Sequence, residues 1–271
     1  DNIMKYGVVP SEVMTETFSS ENTSRIRGLI SLKLKEWGLE LRKLANAKAK
    51  PEKLNERKTE MLAEVYRMLT LAFGEPPAEF TWSRKNGKGE IIDTLTYTPR
   101  SFYDTFFGND LKNDYVMLMN DPTREYYRLY EIDFDRHRYD GKNWTYVNLP
   151  IEDIKEIAIA SIKDSTMMYF SCDVGKFLDS KRGLLDPDNY DYESLMGTTF
   201  GMDKKQRIQT FSSGSSHAMT LMAVDLDKAG KPKKWMVENS WGSASGYRGH
   251  LIMTDTVSYT HLRAHETGAY L

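Results

Sequence analysis

The sequence has a single cysteine in 271 residues, no internal repeat and no low-complexity linker. Nowhere does an apolar run approach the roughly eighteen residues that a membrane-spanning helix needs, and no signal-peptide pattern opens the chain. The lone thiol, Cys172, excludes an internal disulfide framework and favours a reducing, cytoplasmic setting. Neither sign of charge prevails, since 37 Lys and Arg stand against 39 Asp and Glu for a net charge of −2. That balance excludes a global electrostatic drive toward nucleic acid, while leaving room for a local basic patch. Apolar residues make up 40% and charged residues 28%, which is the balance of a folded chain rather than a disordered one. Its length allows one large domain or two ordinary ones.

Periodicity divides the chain. After an irregular opening punctuated by Gly7 and Pro10, apolar residues fall at Ile26, Ile30, Leu34, Trp37, Leu41 and Leu44, steps of three and four that predict an amphipathic helix. Pro51 suits a first turn, and Leu54, Met61, Val65, Met68 and Ala72 extend a second helix that Gly74 and Pro76 end. Residues 20–78 therefore read as a helical hairpin with a basic elbow at Lys48, Lys50, Lys53, Arg57 and Lys58. From Phe80 onward the pattern turns to short β-rich runs: Ile91 to Thr98, Tyr115 to Met119, Tyr127 to Phe134 and Thr145 to Leu149. Thr98-Pro99 opens a short helix, Ile154, Ile157, Ala158 and Ile162 mark another, and Thr166 to Cys172 reads as a buried strand. The expected divisions are a connector at 1–19, the hairpin at 20–78, a β-rich domain at 79–255 and an unrelated tail at 256–271.

The chemistry concentrates between His217 and Gly242. A strand beginning SHAM turns through Asp227–Gly230 and returns as WMVENSWG. If the pairing is symmetric about Lys228, antiparallel register sets His217 opposite Asn239. The carboxamide oxygen then accepts from one ring N–H and fixes the tautomer, which leaves the other nitrogen free to act on a nucleophile. Trp241, two residues beyond, is placed to shield that bond from water.

The run Asn239-Ser240-Trp241-Gly242 behind a His-Ala strand resembles the papain-type cysteine peptidases. More narrowly, HAMTLMAVDLDKAGKPKKWMVENSWG, together with KYGVVPSEVMTETFSS, YFSCDVGKFLD and LLDPDNYDYESLMG, resembles the bleomycin hydrolase and aminopeptidase C family, from about Tyr6 to about Asp255. The resemblance implies an α+β papain-like fold and thiol-dependent hydrolysis of peptide substrates from the amino terminus. It implies His217 and Asn239 as catalytic residues, Trp241 beside them, and ring-shaped homohexamers, with no cofactor and no metal. The family's catalytic cysteine and oxyanion-hole glutamine have no counterpart here. With Asp1 first and VSYTHLRAHETGAYL continuing no upstream pattern, the sequence reads as a fragment whose tail is artefactual. A catalytically inactive assembly or nucleic-acid-binding module on the same fold is the alternative.

Other candidates carry less. Cys172 copies the family's Cys-His-Asn order, yet it ends an apolar strand rather than opening a helix, where a thiol's pKa is lowered. It is expected to be structural and well away from His217. Asp133, Asp135, His137 and Asp140 resemble a metal cluster, but Arg136 and Arg138 interleave and a solvated hairpin accounts for them. His261, His265 and Glu266 have zinc-like spacing within the tail that departs from the family. The basic elbow is expected to be a solvated loop rather than a nucleic-acid surface.

Overall fold

The computed structural model describes residues 2–108, 111, 113, 115–136 and 141–257. Its contacts divide the chain into two compact units, Asp1–Asp114 and Tyr115–Leu271. In the first, short helices α1 (Asn2–Tyr6) and α2 (Phe18–Glu21) precede two long ones, α3 (Thr23–Asn46) and α4 (Pro51–Phe73). Thr17 opens α2 through a capping box with Ser20, satisfying N–H groups that a helix start leaves unpaired. Pro51 occupies the first turn of α4, where its missing N–H goes unnoticed, and Gly74 ends the helix at φ 87°. Trp37 of α3 and Met61 of α4 are buried. Arg57 belongs to α4 rather than to a solvated elbow: its Nε lies 2.6 Å from Glu40 and its Nη1 2.8 Å from Glu60.

Strands β1 (Phe80–Lys85) and β2 (Ile91–Tyr97) form a hairpin that sets Phe80 opposite Tyr97 and Trp82 opposite Leu95. Helix α5 (Pro99–Phe106), capped by Thr98 and Ser101, lays Phe102 edge-on to Phe80 and Trp82 at 5.5 and 5.3 Å. The β1 strand is absent from the sequence expectation, because only Phe80 and Trp82 alternate before Arg84 and Lys85 end the pattern.

The second unit opens with a three-stranded sheet of β3 (Leu118–Met119), β4 (Arg128–Glu131) and β5 (Thr145–Asn148), in the order β3-β5-β4. Next come α6 (Ile151–Lys163), β6 (Met168–Cys172), β7 (Leu178–Asp179), β8 (Leu184–Leu185), α7 (Tyr192–Met196) and α8 (Lys204–Gln209). They are followed by β9 (His217–Leu226), β10 (Pro232–Glu238) and β11 (His250–Thr254). Six of these strands form one sheet in the order β6-β9-β10-β11-β8-β7, antiparallel except where β8 meets β11. Alternate residues Met219 and Leu221, Trp235 and Val237, Leu251 and Met253 fill its buried face. Gly183 at φ 64° backs onto Gly246 at φ 58°, so closely that a Cβ on Gly183 would stand 2.8 Å from the Gly246 Cα. Only glycines allow that approach of β8 to the segment after β10.

Helix α6 departs from the expected stripe. Ile157 is 42% exposed, whereas Lys155 is 6% exposed beside buried Ile151 and Ala158. The buried face is thus 151, 155 and 158, with Ile162 partly buried against the core, and the Lys155 ammonium is satisfied at 2.6 Å by Asp255. Asp255 also accepts from the Trp235 indole at 2.9 Å, so a charged position became part of the core. Among the described residues no helix is long and apolar enough to cross a membrane.

Candidate active site

His217 is the first residue of β9, and Asn239 follows directly on β10. Between them the ladder differs from the symmetric expectation. Asp227 Oδ1 accepts from the Ala229 and Lys231 N–H groups, each at 2.8 Å, and Leu226 pairs with Pro232. The turn is therefore centred on Ala229 rather than Lys228. Moving the centre by one residue moves every facing partner by two, so His217 does not stand directly opposite Asn239. Two irregularities follow: the ladder skips Lys233 on β10 and later Met222 on β9. The first slips the register by one residue and would turn Asn239 to the opposite face; the second restores it. Glu238 then faces Thr220, and Asn239 shares the face of Met219 and His217 and reaches the imidazole diagonally.

The resulting contact is short, with His217 Nε2 2.7 Å from Asn239 Oδ1. The same oxygen accepts from the Ser240 N–H at 2.8 Å, which settles which end of the carboxamide faces the ring. An amide oxygen only accepts, so Nε2 carries the hydrogen and Nδ1 keeps its lone pair. No described residue hydrogen-bonds Nδ1. Asn239 is itself anchored by its N–H to Gly249 O at 2.8 Å, while its buried Nδ2 has no partner among the described residues. The Trp241 ring lies 4.8 Å from the imidazole, tilted by 32°. Nearly half of the indole stays exposed, so it covers one side of the ring.

A set of hydroxyls, missed in the sequence reading, holds the start of β9. Ser171 Oγ donates to the His217 carbonyl at 2.9 Å and contacts Ser215 Oγ. The Ser216 N–H donates to Cys172 O at 3.1 Å, and Ser216 Oγ accepts from the Val174 N–H at 3.2 Å. Ser213 Oγ donates to buried Asp173 at 3.0 Å, and Lys176 pairs with that carboxylate at 2.9 Å. The run SSGSS immediately before the histidine was the available signal. Its hydroxyls take the place of ladder bonds where the strand ends.

Cys172 corrects an expectation. It is the register partner of His217 across β6 and β9, and so a neighbour rather than a distant residue. The sequence showed where β6 ends but not which residue of β9 it would face. The side chain is wholly buried in the core, however, and no hydrogen bond joins its sulfur to the imidazole among the described residues. Burial, reinforced by the Asp173 carboxylate, pushes its thiol up to about 12. An excess of a disulfide reagent at pH 8 is therefore expected to leave native Cys172 unmodified and to label it on unfolding. Between about 9 and about 12 the native thiol keeps a proton that the unfolded thiol has lost, so stability is expected to fall as pH rises through that window. Rapid labelling under native conditions would contradict this assignment.

Asp133 and Asp135 are described; His137, Asp140, His261, His265 and Glu266 lie outside the described residues. Among the described residues no three His, Cys, Asp or Glu side chains stand together as metal ligands.

Comparison with known proteins places this geometry in context. The model of the Peptidase C1-like family matches residues 2–261. Aminopeptidase G of Lactobacillus delbrueckii subsp. lactis is 37% identical over 252 residues, 93% of this chain and 57% of that protein. Human bleomycin hydrolase is 35% identical over 260 residues, again 93% of this chain and 57% of the relative. The crystal structure of PepW from Lactobacillus rhamnosis HN001 superposes with a TM-score of 0.89 at 35% identity, covering 97% of this chain and 59% of that one. The chain thus spans somewhat under three fifths of the length of these relatives.

Proposed function

Because the chain belongs to the Peptidase C1-like family and has its α+β, papain-like fold, we propose that it carries the His-Asn half of a cysteine aminopeptidase site. The observation that carries this reading is the 2.7 Å bond from His217 Nε2 to Asn239 Oδ1 with Nδ1 unengaged. An imidazole held in that tautomer presents a lone pair where a thiol proton must go.

The nucleophile in this proposal is a cysteine outside these 271 residues, because Cys172 is buried and its thiol is hard to ionise. His217 Nδ1 accepts the thiol proton, and the thiolate adds to the scissile carbonyl carbon. Collapse of the tetrahedral adduct forms a thioester and breaks the C–N bond, the imidazolium returning the proton to the leaving amine. Water, deprotonated by the same imidazole, then releases the acid and the thiol. Asn239 keeps the ring in one tautomer and one orientation throughout. The names of the relatives support removal of amino-terminal residues as the activity.

The test compares this chain with a longer protein that joins it to the nucleophile-bearing segment, assayed on an aminoacyl coumarin amide. Iodoacetamide-sensitive hydrolysis is expected from the longer protein and none from the 271-residue chain, with Cys172→Ser without effect. Hydrolysis by the 271-residue chain that Cys172→Ser abolishes would overturn the proposal.

A further inference from the structure

A cavity of about 900 Å³ opens in the second unit between the β6–β7 connection and the 187–212 segment. Its size is that of a small-molecule or side-chain pocket, and its location ties it to His217 through two short stretches of chain. On one side, Cys172 pairs with His217 and Lys176 on the cavity wall is four residues further along. On the other, Ser212 lines the cavity five residues before His217. At 3.8 Å per residue, the Cα atoms of Lys176 and Ser212 come within at most about 20 Å of the His217 Cα. An extended peptide crosses that distance in about six residues.

The lining has two chemistries. Phe177, Tyr190, Tyr192 and Phe200 supply aromatic walls, Tyr190 and Tyr192 being stacked at 5.5 Å and Tyr192 and Phe200 being about half exposed. Asp188, Asp191 and Glu193 supply three carboxylates against the two cations Lys176 and Arg207. Lys176 is neutralised by Asp173, which is not part of the lining. The Arg207 guanidinium lies 5.9 Å from the Phe177 ring, and its Nε donates to Met202 O at 2.9 Å. Asp191 accepts from the Ser194 N–H at 3.0 Å and is held below the usual carboxylate range by that residue. Glu193 accepts from the Phe200 N–H, whereas the Asp188 carboxylate holds no partner among the described residues.

Aromatic faces beside an unpaired carboxylate suit a long apolar stem ending in a cation. We propose that this cavity receives a basic side chain, arginine or lysine, of a peptide bound across His217. The proposal rests on the peptidase reading and adds to it a specificity pocket that the His-Asn geometry does not contain. A neutral aliphatic chain would gain the aromatic contact alone, and an acidic one would be repelled at Asp188.

Calorimetric titration of the 271-residue chain with three peptide amides tests it: arginine at the centre with about six alanines on either side, long enough to reach His217, and the same peptide with norleucine or glutamate at the centre. The arginine peptide is expected to bind tightest and the glutamate peptide weakest, the preference shrinking with added salt. Asp188→Asn is expected to weaken the arginine peptide roughly fivefold, the scale of one exposed ion pair, and to leave the norleucine peptide unchanged. Gly201 lines the cavity, and a Cβ there meets nothing within 4 Å, so Gly201→Trp can be introduced without a clash and narrows the space. That variant is expected to weaken binding of the arginine and norleucine peptides alike. Equal binding of all three, no binding of any, or binding left unchanged by Gly201→Trp overturns the pocket. The same peptides are titrated into His217→Ala: preserved binding there, with no hydrolysis by the longer protein, defeats the peptidase reading alone. Hydrolysis with unchanged selectivity in Gly201→Trp defeats the pocket alone.

Discussion

Replacing His217 with alanine in the longer, nucleophile-bearing protein is expected to lower kcat by on the order of 10³-fold or more. Asn239→Ala is expected to cost one to two orders of magnitude less. The imidazole takes and returns a proton in every bond-making step, whereas the carboxamide acts through it by fixing tautomer and orientation. The structure gives that division a geometric basis, since Asn239 Oδ1 is bound to Nε2 at 2.7 Å and makes its other bond to the Ser240 N–H. If Asn239→Ala proves as damaging as His217→Ala while circular dichroism and melting are unchanged, that division of labour is wrong. A second readout separates positioning from mere scaffolding. Asn239→Ala should alter the pH profile of kcat/KM and the ring-nitrogen NMR shifts of His217, because the tautomer is no longer held.

Lys155→Met is expected to destabilise the second unit by on the order of 3 kcal/mol, read as a lower urea midpoint with an unchanged slope. The side chain of Lys155 is 8% exposed and that of Asp255 is 19% exposed, at 2.6 Å from each other. Removing the ammonium leaves a largely buried carboxylate without its ion-pair partner, while the Trp235 indole still donates to it at 2.9 Å. Most of the loss is the cost of that unpaired charge rather than the attraction of the pair. Lys155→Met combined with Asp255→Leu should therefore be closer to the parent than Lys155→Met alone. A Lys155→Met protein within about 0.5 kcal/mol of the parent, the usual span of a surface substitution, would show that the network contributes little.

Much of this protein is determined locally, and the sequence alone discloses that part. Pro51 and Gly74 bound α4, and Thr98-Pro99 opens α5, because caps and φ restrictions act within a few residues. The turn at Asp227–Gly230 and the NSWG run behind it disclose that His217 and Asn239 meet, as they do at 2.7 Å, but not the register by which they do so. Two residues were misjudged for one reason. The apolar stripe Ile154, Ile157, Ala158 and Ile162 leaves Lys155 out, because a lysine faces water unless another segment supplies a carboxylate, and Asp255 is 100 residues away. Cys172 was placed far from His217 because nothing within β6 states which residue of β9 it will face. The register inside the hairpin belongs to the same class. The sequence decides that there is a turn, but the skipped residues Lys233 and Met222 are settled by how β10 packs between β9 and β11. Strand pairing has a period of two, so local patterning selects the face and leaves the partner undetermined. Only the assembled sheet decided which serines hold the histidine, which thiol lies beside it, and by what diagonal Asn239 reaches the ring.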